Sequence, residues 1–129
     1  MSNWIEIYNL KQDKRHINNV QKVSLDKNGA YGYRIENELL FGSPAWFNAI
    51  ERGIIKEHKI KGVISKVYMS GHNDFPSFKV ENAEGKTTWE RKGNEEDYKV
   101  GLQIEIVLVN QRNRQGVSLQ CVTQVMVAI

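Results

Sequence analysis

The sequence predicts a mainly β protein with one short helix, on three observations. From residue 59 to the end, apolar residues recur with a period of two, interrupted only by short polar loops. Turn signatures at Asn28-Gly29 and at residues 83–86 lie between such runs. Only one segment, residues 43–53, carries helix-capping residues at both ends. Counted by elements the class is α+β. The 129 residues are read as a single domain, with strands and a hairpin over 1–42, the helix over 43–53 and barrel strands over 59–129.

Trp4-Ile5-Glu6-Ile7-Tyr8 is short, aromatic and β-branched, which predicts a strand, and the charged residues 11–15 predict a loop. Val23 and Leu25 then alternate with Ser24 and Asp26, and Tyr31, Tyr33 and Ile35 with Gly32 and Arg34. This is the pattern of a hairpin around Asn28-Gly29. A two-residue turn would set each apolar face against a polar one. A three-residue loop over 27–29 pairs Leu25 with Tyr31 and Val23 with Tyr33, so one coherent face is buried and Gly29 takes a bulge position.

Ser43 is a good N-cap and Pro44 stands where a missing N–H costs nothing. Arg52 falls in the last turn and Gly53 at the position after the cap, and Trp46, Phe47 and Ile50 form the stripe that packs on a sheet. Beyond this helix, residues 59–69 slip their alternation by one place at Gly62-Val63, which predicts a bent strand. Residues 78–81 and 87–90 flank a second hairpin turn. Residues 102–108 alternate, and so do residues 117–121 and 125–129, with loops over 70–75 and 111–116.

Composition bounds the function. Hydrophobic residues are 40% and charged residues 26%, which excludes a disordered tail, a collagen-like chain and a coiled coil. Eighteen Lys and Arg against fifteen Asp and Glu leave +3, a weak argument for a polyanionic partner. The single Cys121 cannot form an intramolecular disulfide and reads as a small buried hydrophobe. No apolar run approaches the ~20 residues that span a bilayer, and the N-terminal residues lack a signal-peptide pattern. A cytoplasmic protein without a membrane partner is expected.

Residues 59–123 resemble a five-strand OB-type barrel. The residues that carry the resemblance are Gly62-Val63-Ile64-Ser65-Lys66-Val67, Phe78-Lys79-Val80, Gly85, Trp89 and Tyr98-Lys99-Val100-Gly101-Leu102-Gln103-Ile104-Glu105-Ile106. Barrels of this kind often bind oligonucleotides. Here the helix precedes the barrel and only Asn94-Glu95-Glu96-Asp97 stands where an OB helix would be, so an SH3-like barrel is the alternative. The whole chain also resembles small bacterial β-rich proteins, a resemblance that carries no activity with it.

No metal site is expected, because His16, His58 and His72 are far apart in sequence. No phosphate loop or nucleophile elbow occurs, and neither a cofactor nor a catalytic residue is implied. The leading expectation is a non-enzymatic binding module for single-stranded nucleic acid, with Lys66, Lys79, Trp89 and Arg91 on the barrel face, because bases stack on aromatics in a positive groove. Arg112 and Arg114 are the candidate phosphate contacts. From residue 59 onward, however, ten basic residues face eight acidic ones, so the field is weak. The alternative is a protein-interaction or homo-oligomerising protein, a homodimer among them, that uses an edge strand or an uncovered Tyr31–Tyr33 face. A third reading places a small-molecule or catalytic site at the barrel mouth, with the loop residues His72, Asn73 and Asp74 as the ligand loop. The competing structural reading of that loop is a self-capping Asx turn.

Overall fold

The computed structural model describes residues 3–70 and 75–128. Along the chain come β1 (Trp4–Asn9), α1 (Lys14–Leu25), α2 (Pro44–Glu51), β2 (Glu57–Met69), β3 (Pro76–Asn82), β4 (Gly85–Glu90), β5 (Gln103–Arg112) and β6 (Ser118–Ala128), with 3-10 turns at Leu10–Gln12 and Glu95–Asp97. The predicted mainly β class holds: the six strands form one sheet in the order β1-β6-β5-β2-β3-β4. The sheet is open. Its edges are β1 and β4, and no β4–β1 ladder closes it into the expected barrel among the described residues.

The hairpin expected between residues 23 and 35 does not form. Val23 and Leu25 lie in α1, and Asn28-Gly29 follows the helix instead of joining two strands. Asp13 caps this helix, its side chain accepting from the His16 N–H at 3.4 Å. The helix points Ile17 and Ser24 inward and leaves Val23 and Leu25 exposed. Its buried stripe holds a serine where an apolar residue would have announced a helix, so the alternation of Val23 and Leu25 looked like a strand. Tyr33 contributes only an isolated bridge to Asn113.

The capped helix is where the sequence put it. The Ser43 side chain accepts from the Trp46 N–H at 3.2 Å, Pro44 opens α2, and Gly53 follows it at φ 76°. The hairpin of β3 and β4 pairs Phe78 with Trp89 and turns tightly after Asn82. β2 carries an irregularity between Ile64 and Lys66, close to the bend expected at Gly62-Val63. At Gly62 a Cβ would lie 2.6 Å from the Glu81 carbonyl oxygen, so the two strands meet there too closely for a side chain.

The chain divides into two units. The strand unit comprises Met1–Tyr8, Lys59–Val107 and Gln124–Ile129, and the helical unit Asn9–His58 and Leu108–Thr123. Within the strand unit Ile64, Phe78, Val80, Tyr98, Ile104, Ile106, Val125 and Val127 are buried, with the Phe78 and Tyr98 rings 4.8 Å apart. Glu105 interrupts the apolar run of β5 and accepts ion pairs from Lys61 (3.4 Å) and Lys59 (3.8 Å). Within the helical unit Leu10, Ile17, Phe41, Trp46, Ile50, Leu108, Val109 and Cys121 are buried. Phe41 is its hub, with ring centroids 4.8 Å from Trp46, 5.0 Å from Tyr33 and 6.0 Å from His16. Such aromatic contacts add to the area that each ring buries.

Candidate protein-interaction surface

In the helical unit, the chain leaving α1 is gripped by the turn that joins β5 to β6. Arg114 Nη1 donates to the carbonyls of Asp26 (2.6 Å), Val23 (3.2 Å) and Tyr31 (3.4 Å). A guanidinium here satisfies the Val23 carbonyl, which the helix C-terminus leaves without an intrahelical partner, joins the Gly29 N–H on the Asp26 carbonyl, and meets the negative end of the helix dipole. Gln115 Nε2 donates to the Ala30 carbonyl at 2.6 Å. The turn is itself fixed, because Asn113 Oδ1 accepts from the backbone N–H groups of Gln115 and Val117. Buried Ser24 closes the other side, donating to the Val20 carbonyl and accepting from the Tyr33 N–H. Gly32, at φ 89°, passes so close to Ser24 that a Cβ would lie 2.5–2.8 Å from its Oγ, N and Cα.

This clasp holds the last turn of α1 and the loop that follows it, and both carry exposed apolar side chains. Tyr31 is 80% exposed, Leu25 57% and Val23 40%. Tyr33, two residues from Tyr31, turns inward: Cys121 Sγ donates to its hydroxyl at 2.9 Å, and burial, followed by the nearby thiol, pushes its ionisation above the usual tyrosine range. Along α1, Lys14, Arg15, Asn18, Asn19 and Lys22 are exposed, and the helix contains no acidic residue. The helical unit holds ten Lys and Arg against six Asp and Glu, whereas the strand unit holds eight against nine. The positive surplus of the chain therefore belongs to the helical unit.

A cavity of about 400 Å³ lies in the same unit, lined by Leu39, Trp46, Ile54, Lys56, His58 and Arg112 among others. Trp46 Nε1 donates to Gln111 Oε1 at 3.1 Å, and Gln111 Nε2 donates to the Arg34 carbonyl at 3.2 Å. One wall is the turn at residues 36–39, where Asn37 and Glu38 stand at φ 54° and 61° and the Leu39 N–H meets the Glu36 carbonyl at 3.0 Å. Two successive non-glycine residues in the left-handed region are a costly way to make a turn. Among the described residues no group of three His, Cys, Asp or Glu could hold a metal ion.

Residues 6–125 match the family model described as Immunity protein RhsI2. The chain belongs to the RhsI2 immunity protein family. The match runs from β1 into β6 and takes in the clasped loop, α1 and the cavity. No curated protein matches the chain. Membership of the RhsI2 family agrees with a small bacterial β-rich protein and does not support the OB-type resemblance. It backs the protein-interaction alternative over the nucleic-acid reading.

Of the residues read as a nucleic-acid face, Lys66 on β2 and Lys79 on β3 are register partners. Both ammonium groups lie over the Tyr68 ring, at 5.0 and 5.9 Å from its centroid, a residue the sequence pattern does not single out. Trp89 is half-buried and donates to Thr87 Oγ1 at 2.8 Å. Arg91 is half-buried as well, with Nη2 donating to the Tyr68 carbonyl at 3.2 Å and a buried Nε that has no hydrogen-bond partner among the described residues. Arg112 and Arg114 belong to the helical unit, Arg112 at the cavity and Arg114 in the clasp. His72, Asn73 and Asp74 lie outside the described residues. What sequence reasoning missed is the clasp, whose partners are backbone carbonyls and leave no mark in a pattern of side chains.

Proposed function

We propose that this RhsI2-family chain is a non-enzymatic immunity protein that neutralises a cognate protein toxin by binding it. The family match over residues 6–125 carries the reading. The surface around the clasp suits such binding, because exposed Tyr31 sits on a loop tied down by hydrogen bonds to Arg114, Gln115 and Ser24, and exposed Val23 and Leu25 stand on the last turn of α1 that leads into it. A preformed contact surface binds without first losing the conformational freedom of a mobile loop. Inhibition of this kind requires no reacting group, only enough complementary area to compete with the toxin's own target.

The test is protection. Bacteria producing a toxin domain cognate to the RhsI2 family should survive when this chain is co-produced and die when it is not. The purified chain should form a stable complex with that domain in size-exclusion chromatography. Death of cells that contain the soluble, folded chain, together with no complex in vitro, would overturn the reading.

A further inference from the structure

We infer that the outer face of α1, with Leu25 and Tyr31 at its C-terminal end, is the docking surface for an acidic face of the toxin. This rests on the toxin-binding reading above and adds to it the place of contact and the charge of the partner.

The first observation is electrostatic. Lys14 and Arg15 occupy the first two positions of α1, where the helix dipole and the unpaired N–H groups favour acids and disfavour bases. Neither they nor Lys22 has an ion-pair partner among the described residues, whereas Lys11 nearby is paired with Glu51 at 3.1 Å. The i, i+4 partners along this face are Asn18 for Lys14 and Asn19 for Arg15, so the helix supplies those two no compensating charge; Lys22 has Asp26 at that spacing, just past the helix end. Through the helix dipole the fold gains nothing from Lys14 and Arg15, whereas Lys22, in the last turn, stands at the favourable end; an acidic partner would pair with the cations at the start of the helix.

The second observation is an anchor. Leu25 falls eleven residues after Lys14, within about 20° of it around the helix, and about 16 Å along the axis. The Tyr31 backbone comes close to the last turn of α1, because Arg114 Nη1 reaches the Val23 and Tyr31 carbonyls together. An exposed tyrosine on a fixed backbone, with exposed Val23 and Leu25 on the adjoining helix turn and cations along the helix, has the make-up of an interface hot spot. A second copy of the chain does not fit this face, since a two-fold contact would set Lys14, Arg15 and Lys22 against one another. A single-stranded nucleic acid would satisfy the charges and stack a base on Tyr31, but it would leave exposed Leu25 and Val23 without apolar partners.

The test uses the full chain and the toxin domain against which it protects, titrated at low and moderate salt (about 50 and 300 mM). The variants are Tyr31→Ala, the double charge reversal Lys14→Glu with Arg15→Glu, and a control reversal of equal charge at exposed positions of the strand unit, Lys86→Glu with Lys99→Glu. Tyr31→Ala and the α1 reversal should each weaken binding by about tenfold or more, the latter chiefly through slower association and with a flattened salt dependence. The control should change affinity by no more than about threefold. Because acids suit the start of a helix, the α1 reversal should melt no lower than the wild type, so its loss of binding is not loss of fold. If the wild type binds and both the Tyr31 and α1 variants bind within about threefold of it, the inference fails while toxin binding stands. It fails equally if the control loses as much as the α1 reversal, or if the α1 reversal abolishes retention on single-stranded DNA and leaves toxin binding intact. If the wild type neither protects nor binds, the toxin-binding reading fails and takes the inference with it.

Discussion

Arg114 shows how a residue's neighbours decide its use. In the sequence it stands in a polar loop and looks available for a phosphate; in the fold its Nη1 is surrounded by three carbonyls of the α1 exit. Charged donors to carbonyls are worth more than neutral ones, so Arg114→Ala should cost roughly 1–2 kcal/mol. For a chain of this length that is a fall of ~3–8 °C in the melting temperature. Released from the clasp, residues 26–31 should also be cut early in limited proteolysis, where the wild type resists. An unchanged melting point and cutting pattern would show that Gln115 and Ser24 suffice. Gly32→Ala attacks the same loop from inside. The new Cβ would meet Ser24 within 2.8 Å at a φ of 89°, and the expected loss is at least about 2 kcal/mol, read by chemical denaturation.

At the scale of elements, α1 is both the part the sequence hid and the part with the clearest stability prediction. Replacing Lys14 alone by Glu puts an acid on the first turn of a helix that now has none there, and should raise stability by about 0.3–1 kcal/mol in urea unfolding. A decrease would show that Lys14 supports the fold in a way its exposure does not reveal. The legible elements announced themselves locally. α2 could be read because Ser43, Pro44 and Gly53 act on the backbone next to them. β3 and β4 could be read because their turn and alternation are contiguous. α1 was missed because its inward stripe depends on Ser24, whose burial is explained only by the Tyr33 N–H nine residues on. Asn28-Gly29, a strong hairpin signal in isolation, was overridden by contacts from residues 114 and 115. For the candidate surface, the uncovered tyrosine was legible as a condition: a face not covered by a helix would be an interaction patch. That Tyr31 meets the condition and Tyr33 does not is decided by Phe41 and Cys121, which no local pattern brings near.

At the scale of the whole chain, each unit holds a tyrosine whose ionisation burial pushes up, and this predicts how stability depends on pH. In the helical unit Tyr33 is raised by burial and then by Cys121. In the strand unit Tyr98 is raised by burial, and its hydroxyl donates to the Lys92 carbonyl at 2.7 Å, a bond that only the protonated form makes. Both ionise in the folded protein at a higher pH than in the unfolded chain, where tyrosine titrates near 10. Below that value both states keep the proton and the contribution of the two groups is fully present. As pH rises through it, the unfolded chain gives up protons that the folded protein retains, and the folded state loses ground until the folded groups also titrate. Each tyrosine should then steepen the fall in unfolding free energy by up to about 1.4 kcal/mol per pH unit. Urea midpoints should be insensitive to these groups between about pH 7 and 9 and drop above 10. Tyr98→Phe lacks the titrating hydroxyl, so it should begin less stable at neutral pH by about 1 kcal/mol, for the lost hydrogen bond, yet decline less steeply in alkali. Tyr33→Phe should blunt the decline in the same sense. Profiles for both variants that run parallel to the wild type above pH 10 would show that other groups drive the alkaline transition.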